Sequence, residues 1–176
     1  MKKLSLFVLA STFLTSCAVI RPGEVGIKQK LGKFRGEVQT EGTIIYNPLL
    51  SKVVKESTKT KNIKLFLSLP SKEGLSVNAE ISILHRLDGN KLASVMQNLG
   101  PNYESVITSV FRSAASDVCA QFFAKDMHSG MRANIEREIL EKMKINLEKQ
   151  AEGIELIAVL MKQIQLPRGL ASSVER

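Results

Sequence analysis

Between Leu75 and Leu87 the chain alternates apolar and polar side chains almost without a break, and this stretch limits the possible folds more than any other. Leu75, Val77, Ala79, Ile81, Ile83, His85 and Leu87 fall on one face, opposite Ser76, Asn78, Glu80, Ser82, Leu84 and Arg86. A period of two over that length describes a long strand with one buried side, hence an antiparallel sheet with one wet face. At Asp88-Gly89-Asn90 the period changes toward 3.6, so strands precede this point and helices follow it.

Shorter strands are expected upstream. Glu24–Leu31 places Val25, Ile27 and Leu31 on one face, with Gly23, Gly32, Gly36 and Gly42 as punctuation. Thr43–Tyr46 runs into a turn at Asn47-Pro48, since proline cannot donate to a strand ladder. Lys52–Lys55 and Ile63–Leu67 follow, the latter closed by Pro70.

Downstream, Asp88 or Asn90 can cap a short helix bearing Leu92, Val95, Met96 and Leu99, which Gly100-Pro101 ends. A second helix carries a broad apolar stripe: Val106, Val110, Ala114, Val118 and Phe122, with Tyr103, Ile107, Phe111 and Ala115 beside them. A third, capped by Asp126 or Ser129, has the stripe Met131, Ile135, Ile139, Met143 and Leu147 and a charged outer side on which Glu138 and Lys142 have ion-pair spacing. Gly153 ends it. Ile154–Leu166 reads as a closing strand stopped by Pro167, and residues 168–176 read as the start of a C-terminal helix, apparently truncated.

The N-terminal residues carry a targeting signal. Lys2 and Lys3 form a positive n-region and Leu4–Leu14 an apolar h-region, too short for the ~20 residues a spanning helix needs. Leu14-Thr15-Ser16-Cys17 resembles a bacterial lipobox, so residues 1–16 are expected to be a lipoprotein signal peptide and Cys17 the acylated residue, followed by a short tether over 17–22. Two or more acyl chains give stable attachment where one is marginal. The expected location is the bacterial cell envelope, lipid-anchored and periplasm-facing at the inner or outer membrane.

Charge follows the same polarity. The net formal charge is +8, and residues 17–72 hold eleven Lys/Arg against four Glu, whereas residues 73–176 hold twelve against thirteen Asp/Glu. Two readings fit the basic half: a solvated strand face, or a surface in which Lys28, Lys30, Lys33, Arg35, Lys52, Lys55, Lys59, Lys61 and Lys64 lie over anionic lipid head groups. Nucleic acid fits poorly, because the nine aromatics, none of them Trp, are not interleaved with the basic residues.

Chemistry-bearing motifs are missing. No Gly-rich loop carries G-K-[ST], no G-x-S-x-G elbow occurs, and the two histidines have no metal-ligand spacing. Cys119, between Val118 and Ala120, reads as a small core residue, and His85 as a hydrogen-bonded core or strand-end histidine. Apart from covalent acylation at Cys17, no metal or cofactor is expected. A different reading is a lipoprotein that holds a small apolar ligand between sheet and helices, with Met96, Met127 and Met131 lining a flexible pocket.

Several local stretches, taken in order, resemble the SPFH domain, also called the band-7 or prohibitin-homology domain. They are Arg21–Ile27 with Leu31-Gly32-Lys33, Gly42–Val53, Ser71–Ile81, Tyr103-Glu104 with Ile107, Arg132 with Ile135, and Gly153–Leu156 through Ile164–Pro167. The resemblance covers about residues 20–170 and is closest to the prohibitin branch, with the domain itself expected over 23–167. It implies an α+β fold, a curved and mainly antiparallel sheet with packed helices. It also implies a non-catalytic scaffold that oligomerises on a membrane and organises or restrains membrane proteins, AAA-type membrane proteases among them. The edge strand near Ile27 and the helix faces are expected to carry the contacts between copies. Two departures stand out: a lipobox replaces the family's usual transmembrane or hairpin anchor, and residues 168–176 leave no room for the family's long coiled coil.

Overall fold

The computed structural model describes residues 16–34, 37–128 and 130–165. Residues 1–15 of the expected signal peptide, Arg35, Ser129 and everything from Leu166 onward lie outside the described residues. The architecture is α+β, with antiparallel strand pairing throughout the described sheets.

The long alternating segment is strand β7, Ser76–Leu87, at the centre of a three-stranded sheet between β6 (Lys61–Pro70) and β8 (Ile154–Gln165). Its register with β6 runs from Lys61↔His85 to Pro70↔Ser76. As the alternation requires, Val77, Ala79, Ile81, Ile83, His85 and Leu87 are all buried. The remaining strands are β1 (Ser16–Ile20), β2 (Glu24–Lys30), β3 (Lys33–Phe34), β4 (Gly42–Tyr46) and β5 (Ser51–Ser57). They make a β1-β4 ribbon and a β3-β2-β5 sheet. Because β2 lies between two partners, Ile27 is buried inside the sheet and not on an edge, which corrects the expected site of contact between copies.

The change of period at residue 88 marks a real boundary. Asp88 accepts the N–H of Asn90 through its carboxylate at 3.0 Å and caps a 3-10 turn, Gly89–Lys91, that leads into helix α1, Leu92–Asn98. Here the chain crosses the start of β8 closely. Gly153, at φ 112°, accepts the N–H of Asp88 at its carbonyl, and a Cβ there would stand 2.7 Å from the Cβ of Lys91.

Helix α2, Tyr103–Cys119, buries Tyr103, Ile107, Val110, Phe111, Ala114, Ala115, Val118 and Cys119. Its small residues let it pack closely. A five-residue helix, α3 (Ala124–His128), was not expected; the Glu73 carboxylate accepts the N–H of Ala124, at 3.1 and 3.3 Å from its two oxygens. Asp126 lies inside α3 and therefore does not cap the helix that follows. That helix, α4 (Arg132–Glu148), buries Ile135, Ile139, Met143 and Leu147, but Met131 precedes its first turn and is exposed. Lys142 reaches across to Asp117 of α2 at 2.7 Å and does not pair with Glu138, while Arg132 and Glu136 make the i, i+4 pair at 3.2 Å.

Glu136 has a second role at the sheet edge. Its carboxylate accepts the N–H of Met161 at 2.6 Å, so an edge-facing donor of β8 is satisfied by α4 and not left to a foreign strand.

Among the described residues neither ring nitrogen of the buried His85 has a hydrogen-bond partner, in contrast to the partnered histidine expected from sequence. Its ring stands edge-on to Tyr103, with centroids 6.2 Å apart at 73°. Burial lowers its pKa from the ordinary 6.5; Glu104 opposes this and Lys61 reinforces it. The unfolded chain therefore takes up a proton near pH 6.5 that the folded chain refuses, so the stabilisation is complete above that pH and is lost as the pH falls below it. The urea midpoint is expected to drop between about pH 7 and pH 5, and His85→Phe, which keeps the ring against Tyr103, to flatten that drop. An equally steep dependence in His85→Phe would refute this assignment.

Candidate functional site

One end of the molecule gathers features that the sequence scattered. β1 pairs with β4 from Ser16↔Tyr46 to Ile20↔Gly42, so Ala18, Ile20 and Ile44 turn inward while Cys17, Val19 and Ile45 face solvent. The inward side rests on β2 at Gly26. A side chain at that position would collide with the ribbon, since a Cβ on Gly26 would lie 2.5 Å from Ile20 Cδ1 and 3.3 Å from Ile44 Cδ1. Lys55 adds a bond from its ammonium to the carbonyl of Val19 at 2.7 Å.

Residues 17–20 are consequently part of a strand, not the free tether expected over 17–22. Cys17 is exposed and paired with Ile45, one position from Tyr46, where the chain leaves the ribbon.

Two turns project at this same end. Leu31-Gly32 forms the two-residue link between β2 and β3, with Lys30 opposite Lys33 and φ values of 48° and 82°. Asn47–Leu50 forms the other. The Asn47 side chain accepts the N–H of Leu49 at 2.9 Å, and its carbonyl accepts from Leu50 and Ser51. The turns are tied together by Leu31 N–H to the Leu50 carbonyl at 3.1 Å. Leu31 is 75% exposed, Leu49 76% and Ile45 67%. Leu31 was expected on the buried face of its strand; the positive φ turns it out instead. The sequence signal that could have located this end is a lysine on either side of Leu31-Gly32 and two leucines directly after Asn47-Pro48.

Of the nine basic residues singled out earlier, Arg35 lies outside the described residues and the other eight do not form one patch. Lys30 and Lys33 flank the first turn, Lys52 follows the second opposite Gln29, and Lys28 lies one residue pair further in; Lys30, Lys33 and Lys52 are exposed. Lys55 binds the ribbon, Lys59 lies by Gly23 at the other end of β5, and Lys64 is on β6.

Lys61 is withdrawn from any such surface. Its ammonium sits 3.1 Å from Glu56, 3.0 Å from Glu104 and 2.9 Å from the Tyr103 hydroxyl, linking β5, β6 and α2. Burial works against its charge, but the bonds to Tyr103, Glu104 and Glu56 prevail and raise its pKa above the ordinary lysine range. Burial likewise raises Tyr103. Cys119 is fully buried and its thiol is pushed up to about 12 by burial, consistent with a core residue and not a nucleophile.

The methionines do not surround a common pocket. Met96 and Met127 are packed in the core and Met131 is exposed. Of the three, only Met96 borders any of three surface cavities of about 230, 370 and 390 Å³. Among the described residues no group of three or more His, Cys, Asp or Glu is placed to hold a metal ion.

The sequence profile of the SPFH domain / Band 7 family matches residues 18–176. The chain belongs to that family. It is 26% identical to prohibitin-1 of Saccharomyces cerevisiae over 98% of this chain and 60% of that protein. It is 27% identical to prohibitin-1 of Schizosaccharomyces pombe over 84% of this chain and 51% of that one. The chain thus spans between half and two thirds of the length of these relatives, and it is a prohibitin-like SPFH domain. No helix among the described residues is long and apolar enough to cross a membrane.

The contact at Gly26 makes the ribbon's position testable. Gly26→Val forces its side chain into Ile20 and Ile44, and overpacking of this kind costs about 1–3 kcal/mol. Amides of β1 and β4 are expected to exchange with solvent markedly faster in the variant, while those of β7 keep their protection. Unchanged exchange in the ribbon would show that it does not rest on Gly26.

Proposed function

We propose that this SPFH domain is a lipid-anchored, non-catalytic scaffold: acylated at Cys17, it lies against a periplasm-facing bilayer, assembles with copies of itself, and organises or restrains membrane proteins, AAA-type membrane proteases being one class of client. The observation that carries this reading is the position of Cys17, exposed in β1 at the end where apolar turns and exposed lysines gather. Cleavage before Cys17 would remove a single residue of β1 and leave the pairs from Cys17↔Ile45 to Ile20↔Gly42 intact. An acylated Cys17 would then have no slack chain between lipid and fold, so the domain would lie flat on the membrane and not float above it.

Family membership supports the scaffold role. For contacts between copies, β6 is an outer strand of its sheet and carries Phe66, 76% exposed. Edge strands of this kind pair readily with another chain. Since relatives extend well beyond this chain's span, the client and the assembly size belong to the proposal.

Expression in a bacterial host with labelled palmitate tests the anchor. The wild type is expected to take up label and sediment with membranes, and Cys17→Ser to lose the label. A wild type that stays unlabelled and soluble sinks the anchoring proposal. Light scattering and electron microscopy of the acylated protein in nanodiscs should show higher-order assemblies; a strictly monomeric population sinks the scaffold reading.

A further inference from the structure

The two turns at the Cys17 end have a composition that folding alone does not explain. A two-residue link between antiparallel strands with positive φ at both positions is normally built from Asn-Gly, Asp-Gly or Gly-Gly, because other side chains are strained there. Here the first position is Leu31, at φ 48°, and its side chain is 75% exposed. The residue thus accepts backbone strain without gaining burial. Such outliers concentrate where a function requires them. The adjoining turn repeats the pattern: its backbone is fixed by the Asn47 side chain, yet it presents Leu49, 76% exposed, beside Leu50.

The surroundings indicate what these leucines meet. Residues 25–34 and 42–55 contain five lysines and no Asp or Glu. Lys30, Lys33 and Lys52 stand at the feet of the two turns, within one or two residue pairs of the exposed leucines. Isolated apolar tips ringed by a single sign of charge suit an interface that is apolar inside and anionic outside, which describes the boundary of an anionic lipid bilayer. A protein partner would more naturally bring a shaped apolar pocket and mixed charge.

We propose that Leu31, Leu49 and Leu50 form a wedge that enters the acyl boundary of an anionic bilayer, with Lys30, Lys33 and Lys52 against the lipid phosphates. The proposal rests on the membrane-surface reading above and adds a defined point and depth of contact. Leu31-Gly32 and Asn47–Leu50 act as one unit because the Leu31 N–H binds the Leu50 carbonyl, so both tips enter together.

The chain contains no tryptophan, so single reporters can be read without background. Full-length protein carrying Leu31→Trp, Leu49→Trp or Phe66→Trp is bound to phosphatidylglycerol vesicles, and quenching by lipids brominated near the glycerol end of the acyl chains is measured. Phe66 serves as the control, since β6 begins beyond the opposite end of β5. Quenching is expected to be several-fold greater at positions 31 and 49 than at 66. Joint replacement of Lys30, Lys33 and Lys52 by Glu should remove most of that difference. Equal quenching at all three positions, no quenching at any, or no response to the charge reversal overturns the wedge. Mass measurement of the Cys17 peptide reads the anchoring proposal separately, so a protein that is acylated and floats with the vesicles but shows no selective quenching keeps its anchor and loses the wedge.

Leu31→Asn separates contact from folding. Asparagine tolerates the left-handed conformation, so the variant is expected to unfold at higher urea than the wild type while quenching of Leu49→Trp in the same chain weakens. Undiminished quenching with Asn at position 31 also overturns the proposal.

Discussion

Burial of one face of β7 holds the rest of the molecule in register. A slip by one residue would send Val77, Ile81, Ile83 and Leu87 to water and bring Asn78, Glu80 and Arg86 inward. Burial of a large aliphatic side chain contributes about 1.5–3 kcal/mol, so losing four of them forfeits roughly the whole stability of an ordinary domain, about 5–15 kcal/mol. β7 is hydrogen-bonded on both sides, and its register therefore dictates that of β6 and β8. Through β6 it also fixes Lys61 opposite His85, and with it the place where the helical half meets β5.

That meeting point is polar, which is unusual for a junction so close to the core. Lys61 joins Glu56 of β5 to Glu104 and Tyr103 of α2, and the pairs are partly open to solvent, so their net contribution to stability is small. Their geometric effect is larger. Three acceptors around one ammonium define the angle between the end of β5 and the start of β6, and hence the direction in which the other end of β5 carries its turn. An apolar contact would allow more sliding, because dispersion has little directionality. Burial is what keeps the neighbouring His85 neutral; within the cluster Glu104 favours its charged form and Lys61 opposes it.

The large elements were legible in the sequence because each depends on a repeat that is long compared with its irregularities. β7, the stripes of α2 and α4, and the break at Asp88-Gly89-Asn90 all follow from periods of two and 3.6. Errors fell where a single residue's backbone angle or a tertiary partner decides the outcome. Leu31 continues the alternation of its strand, yet a positive φ turns it into a hairpin tip. Helix α3 is too short to show a period and depends on Glu73, fifty-one residues away, for its N-terminal partner. Lys61 looks like one more exposed lysine until the fold brings Glu104 to it. The same limit applies to the candidate site. Cys17 could be recognised from the residues before it, and the surplus of lysines by counting, but the convergence of two distant turns on Cys17 depends on the β1-β4 pairing, which carries no local signature.

If Cys17 carries the anchor, its place inside a strand changes what attachment does. A lipoprotein on a flexible linker explores a hemisphere above the membrane, and its contacts with neighbours must overcome that freedom. With Cys17 hydrogen-bonded into the β1-β4 ribbon, an acyl chain would hold the ribbon itself at the interface, and leucine tips entering the bilayer would remove much of the remaining rotation. Copies held at one height and one tilt would meet in two dimensions with their β6 edges at the same level. Contacts too weak to assemble the domain in solution could then suffice, because the membrane would already have removed most of the orientational entropy that association must otherwise overcome. The strength of assembly would then reside less in any one interface than in the geometry of attachment. A short β-ribbon and a strained leucine would then govern assembly without lying at the contact between copies.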